Sequence, residues 1–162
     1  MSEACFGCGG RFAALHDGPT HAYMASSPGC WDTYARVLAR EYADAALFGR
    51  CHRLTVDAFA IQHPGDPFDR RARQSFWIHG ASLWLVLRMG RTQSEATAAL
   101  KTMAQGDFPE PPPALAFAMT HADVLAAPEA EHEARVRAWA ESALACCAAA
   151  HATFAAMAAK VA

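Results

Sequence analysis

The chain has 162 residues, 53% of them hydrophobic, and a formal charge of −2. A chain of that length buries roughly 70% of its unfolded surface around one core, so no metal is needed to fold the whole of it. Arg far outnumbers Lys and no basic cluster is long enough to track a phosphate backbone, which argues against a nucleic-acid partner; the longest apolar run, Ser75 to Leu87, falls short of the about 20 residues a membrane span needs.

The first ten residues carry neither the basic segment nor the apolar stretch of a secretory leader, which predicts a cytoplasmic home with reduced thiols. They do carry Cys5-Phe6-Gly7-Cys8-Gly9-Gly10. Two thiols at this spacing on a glycine-relaxed turn can clasp one soft metal ion. From Gly7 to Gly29 the chain is rich in Gly, Pro and Ser, with Asp17-Gly18-Pro19 as a turn signal, so residues 1–29 read as an irregular loop that a metal would hold.

Residues 30–162 read as a helical bundle, and the whole as one all-α domain. Ser26-Ser27-Pro28 offers a helix start, and Trp31, Tyr34, Leu38 and Tyr42 follow at helical spacing, predicting a first helix over 28–44 with an aromatic inner stripe. Leu47, Cys51, Leu54, Ala58 and Ile61 share one face of a second helix over 47–62, stopped by Pro64-Gly65. A third helix over 70–89 is apolar nearly all round from Phe76 to Leu87, which places it at the centre. Thr92 and Glu95 form a capping box for a fourth helix reaching Gln105, and the prolines from Pro109 to Pro113 break the chain. Thr120 and Asp123 mark a short helix. A last helix is expected to run unbroken from Glu129 to Lys160, with Val136, Trp139, Ala143, Cys146, Ala150, Phe154 and Met157 inward. No strand pattern stands out.

Zinc takes four soft or borderline ligands in a tetrahedron. Cys5 and Cys8 supply two, and Cys30 at the start of the first helix a third. If the first two helices turn back near Ala45 and Ala46, Cys30 lies level with Ile61 to His63, which brings His63 in as the fourth ligand. His21 is the substitute. His52 lies about 16 Å farther along the second helix and drops out as a ligand of the same ion. Beside this stand plainer readings: Cys-x-x-Cys as a redox pair, although no strand precedes it, and Cys30 as a small buried hydrophobe. Cys51, Cys146 and Cys147 read as packing.

His79 sits in Phe76-Trp77-Ile78-His79-Gly80-Ala81 and needs a polar partner. Pairing His63 with Arg70 across the loop puts it level with Leu54, within reach of Arg53, Asp57 or His52. A His79–Asp57 pair, with His52 nearby, is either a proton-transfer couple or a core pair that serves only structure. His132 is a further candidate.

The segments Cys5-Phe6-Gly7-Cys8-Gly9, Asp17-Gly18-Pro19-Thr20-His21-Ala22-Tyr23-Met24, Ser27-Pro28-Gly29-Cys30-Trp31, His52 through Gly65 and Gln74-Ser75 together resemble an uncharacterised bacterial family, a domain of unknown function. That resemblance implies a cytosolic bacterial protein and a shared residue set; the family has no established activity to transfer. Three readings of function follow. One is a zinc protein whose metal is structural. Another is a metal-dependent hydrolase or transferase with an open zinc position and a His–Asp acid-base pair acting on a small-molecule substrate. The third is a homodimeric interaction module pairing through the Ala-rich last helix.

Overall fold

A computed structural model describes residues 1–162 and contains seven helices and one two-stranded sheet. Strands β1 (Ser2–Ala4) and β2 (Arg11–Ala13) pair antiparallel, Glu3 opposite Phe12. Three-residue strands are too short to leave an alternating pattern, and the sequence expectation of no strand is corrected here. The hairpin is closed by Cys5 N–H donating to the Gly10 carbonyl and Gly9 N–H to the Cys5 carbonyl, both at 2.8 Å, so the Cys-x-x-Cys segment forms its turn.

Helix α1 (Pro28–Ala43) begins where Pro28 needs no amide partner and the Ser27 hydroxyl accepts from Cys30 N–H. One residue, Asp44, separates it from α2 (Ala45–Gln62), and its carboxylate caps the first amides of α2 at Ala46 and Leu47. So short a joint forces the helices antiparallel, bringing Cys30 opposite His63 and Glu41 opposite His52 and Thr55. Helix α3 (Arg70–Leu87) is capped by Asp69, and α4 (Gln93–Met103) by the Thr92–Glu95 box. Helix α2 packs against α1, α3, α4 and α6, and α3 against α7, so these two share the centre. The short α5 (His121–Ala126), with its own Thr120–Asp123 box, lies between α1 and α6.

The last helix is not continuous. Helix α6 (His132–Cys146) ends at Cys147, and after a 3-10 turn over Ala148–Ala150 helix α7 (His151–Ala159) leaves at a bend of 73°. The exposed carbonyls at the break are satisfied: the His151 imidazole donates to Leu144 O at 2.8 Å and Leu115 N–H to Cys146 O at 2.9 Å. The bend lets Phe154, fully buried, pack against Phe76 and Trp77 on α3. No single helix is long and apolar enough to cross a membrane.

The inner stripe of α1 also differs from expectation. Tyr42 is exposed, and Glu41 takes the buried position with no accessible surface. Its carboxylate accepts from His52 Nδ1 at 2.7 Å, His132 Nε2 at 3.1 Å and the Thr55 hydroxyl. Burial alone would raise its pKa, but the hydrogen bonds from His132, His52 and Thr55 outweigh that and hold it below the usual carboxylate value. Cys51 adjoins the group; burial and then the Glu41 charge push its thiol up to about 12, so it stays protonated and donates to Leu47 O. Glu41, Cys51 and His132 lie close enough to hold an ion, and the Glu41 carboxylate is already met by three side-chain donors, the pattern of a hydrogen-bonded core cluster.

Candidate metal centre

The hairpin turn, the start of α1 and the end of α2 converge on one point. Cys5 Sγ, Cys8 Sγ, Cys30 Sγ and a His63 ring nitrogen all lie within 4.8 Å of one another, and all four residues are buried. Cys30 Sγ is 3.2 Å from His63 Nε2. Ligands on a tetrahedral ion at about 2.3 Å from sulfur and 2.0 Å from nitrogen would stand roughly 3.5–3.8 Å apart, so the Cys30–His63 pair needs only slight opening to fit one.

The His63 ring is oriented for this. Its Nδ1–H donates to the Phe59 carbonyl at 2.7 Å, one turn back on α2, which fixes the tautomer and leaves the Nε2 lone pair facing the sulfurs. A metal-binding histidine tied through its other nitrogen to a backbone carbonyl is a recurrent arrangement. The ring stacks on Phe59 with centroids 3.9 Å apart, and His63 O accepts from Ala25 N–H, so the loop before α1 is stitched to the same point. Ser27 N–H is directed at Cys5 Sγ at 3.4 Å, and Cys30 sits in the first turn of α1, where the helix dipole favours a thiolate.

Without an ion the three thiols compete for one charge. Hydrogen bonds from Cys30 and Cys8 hold Cys5 far below an ordinary thiol. Cys8 accepts from Cys30, but its own bond to Cys5 and its burial push it up to about 12. Hydrogen bonds to Cys5 and Cys8, with burial, push Cys30 higher still. One thiolate shared by three sulfurs, beside a lone pair already aimed at them, is a donor set that suits a soft cation.

Two glycines make the knuckle possible. Gly9 has φ +72°, a left-handed conformation that side chains disfavour. At Gly7 a Cβ would run into the Ala25 carbonyl and the His63 ring. Gly7→Ala is therefore expected to push the knuckle off His63 and weaken metal binding about tenfold or more, read by competition with a chromogenic chelator. An unchanged affinity would mean that the knuckle does not need this close approach.

Among the expected site residues, Cys5, Cys8, Cys30 and His63 are brought together, and His21 is not. The His21 ring packs on Tyr23 and on Trp31 of α1, with Nδ1 accepting from Tyr23 N–H. His52 is occupied by Glu41. His79 does meet Asp57: its Nδ1 lies 2.7 Å from Asp57 Oδ1, though its side chain keeps 13% of its surface accessible and is not fully buried. Sequence reasoning missed His121. It is buried, stacks on Phe12, and sends Nε2–H to the Cys30 carbonyl at 3.0 Å, with that nitrogen 3.7 Å from Cys30 Sγ. Burial, and then the nearby His63, lower its pKa to about 3, so it supports the Cys30 backbone as a neutral ring. The capping box that places α5 was legible; its approach to Cys30, across 91 positions of sequence, left no local signal.

The geometry defines a mostly helical protein with a buried three-cysteine, one-histidine cluster able to hold a metal ion. Residues 3–148 match the model described as Family of unknown function (DUF5946), and the chain belongs to that family. No curated protein and no solved structure matches it.

Proposed function

We propose that the protein is a zinc-binding helical domain in which a single Zn2+, held by Cys5, Cys8, Cys30 and His63, is structural and pins the N-terminal hairpin and loop onto the α1–α2 end of the bundle. The observation that carries this reading is the His63 ring, whose Nδ1–H is committed to Phe59 O while Nε2 faces Cys30 Sγ at 3.2 Å. Three thiolates with one imidazole form a common structural zinc set, and four protein ligands leave no open position for water. That closure counts against a hydrolase or transferase working at the metal. A cytoplasmic setting accords with six free cysteines.

The test is metal analysis of untagged protein by mass spectrometry. One zinc per chain is expected, falling to a small fraction in Cys30→Ser and staying at one in Cys147→Ser, whose thiol is buried away from the cluster. A chain that carries no metal, or a Cys30→Ser variant that keeps full occupancy, would sink the proposal; iron in place of zinc would correct the ion while leaving the ligand set intact.

A further inference from the structure

Away from the clasp, a cavity of about 260 Å3 opens against the first turns of α3, lined by Tyr23, Arg71, Gln74, Ser75, Ile78 and His79. Four features make it a built site. His79 is seated from behind, its Nδ1 lying 2.7 Å from the carboxylate of the fully buried Asp57, which also takes Arg53 and Ser82, and 3.2 Å from an Arg53 guanidinium nitrogen. With Nδ1 committed, Nε2 is the nitrogen left without a protein partner. Ser75 is only 4% exposed, and its hydroxyl has no hydrogen-bond partner although it sits in the cavity wall one helical turn before His79, on the same face. Arg71 is exposed and its guanidinium forms no ion pair.

A buried hydroxyl is rarely left unpaired without cause. The remaining wall groups point to what would pair it. Arg71, Ser75 and Tyr23 offer donors, the Gln74 amide is bonded to Ala104 O, and no carboxylate lines the cavity. Of the neighbouring acids, Asp57 is behind His79 and already countered by Arg53 at 2.6 Å, and Asp69 is committed to capping the Arg71 amide. A guanidinium fork beside a hydroxyl and an imidazole matches the oxygens of a carboxylate or phosphate. The volume lies just below the range of pockets for drug-sized ligands, so the ligand is small.

We propose that this cavity binds a small oxyanion, a carboxylate or a phosphate ester, with Arg71 and Ser75 holding its oxygens and His79 Nε2 sharing one proton with it while Asp57 keeps the ring in place. The site shares no residue with the metal clasp, so it stands whether or not the zinc reading does. His21, on the loop beside Tyr23, completes the polar surroundings; burial and the neighbouring His79 keep its pKa below the ordinary histidine value.

The experiment is a titration of the full-length, metal-loaded protein with inorganic phosphate, and separately with acetate, followed by the histidine ring nitrogens in NMR at constant ionic strength, with chloride as control. A saturable shift of His79 is expected with phosphate, acetate or both, and none with chloride; which of the two saturates at lower concentration identifies the ligand as phosphate ester or carboxylate. Ser75→Ala loses no existing hydrogen bond and Arg71 is exposed, so Ser75→Ala and Arg71→Ala should both stay folded, each weakening the midpoint about tenfold. Shifts that never saturate, that chloride reproduces, or that both variants leave unchanged would overturn the proposal.

Discussion

Stripping the metal with a strong chelator is expected to remove hydrogen-exchange protection from residues 1–27 while the central amides of α2 and α3 stay protected. In the native protein those residues are fixed by a three-residue hairpin, the bridge between Met24 and Pro64, and the cluster itself. A hairpin of that length is not stable alone in water, so on the proposed zinc reading the ion would add the larger restraint to the packing of Phe12 on His121 and the Ala25–His63 hydrogen bond. Val37, Leu54, Phe59, Leu83, Trp139 and Phe154 belong to an apolar core that Cys5, Cys8, Phe12, Met24 and Cys30 join, and its helical part is expected to hold α2 and α3 together without the ion. A structural zinc contributes about 10–16 kcal/mol when it folds an entire small peptide. On the proposed reading it would order only a leader on the bundle, so a smaller loss of roughly 5 kcal/mol is expected, which for a chain of this length corresponds to a Tm lower by about 10–20 °C. Thiols must lose their protons to bind the ion, and with Cys8 and Cys30 pushed up by burial and their shared hydrogen bonds, binding should expel protons at neutral pH. Affinity then climbs as pH rises and the ion is released as pH falls, which calorimetry in buffers of different ionisation enthalpy reads directly. Unchanged protection of the leader after complete metal removal would refute the structural role.

The clasp was legible in the sequence because its geometry is local or follows from one turn. Cys5 and Cys8 lie in a single turn, and the choice of His63 over His52 needs only the rise of a helix and a tight joint at Asp44. The capping boxes at Thr92 and Thr120 were legible for the same reason. What stayed hidden depends on distant partners or on weak local preference. Ala148, Ala149 and Ala150 are strong helix formers, so nothing in the composition announced a break whose cause is the fit of Phe154 against α3. Glu41 stands between Arg40 and Tyr42, where nothing local marks it as buried; the donors it meets come from His52 and Thr55 on the next helix and from His132, 91 positions away. The same separation hid His121. The contrast has a physical root: periodicity reports which face of a helix is apolar, whereas a buried carboxylate is selected by the donors that neighbouring helices bring to it.

Glu41→Ala is accordingly expected to be among the most damaging substitutions in the bundle, costing about 3–5 kcal/mol and lowering Tm by roughly 10–15 °C. The variant removes the common acceptor of His52, His132 and Thr55 and leaves their donors facing a cavity between α1, α2 and α6. Glu41→Gln keeps the volume and one acceptor oxygen but turns an amide toward a donor, so an intermediate loss is expected. Acid sensitivity separates the charge from the packing. The folded carboxyl has a depressed pKa, so its stabilisation is complete above the unfolded value near 4.5 and is lost as pH falls through the folded value. Wild-type stability should fall on acidification below that point, and Glu41→Gln should show a shallower decline. Metal content provides the control: Glu41 lies eleven residues from Cys30 along α1, about 16 Å, so either variant that still folds should retain its ion. Chemical denaturation at neutral pH decides the matter. A loss under about 1 kcal/mol for Glu41→Ala, within the range of an exposed ion pair, would show that the three donors find other partners and that Glu41 does not anchor the bundle.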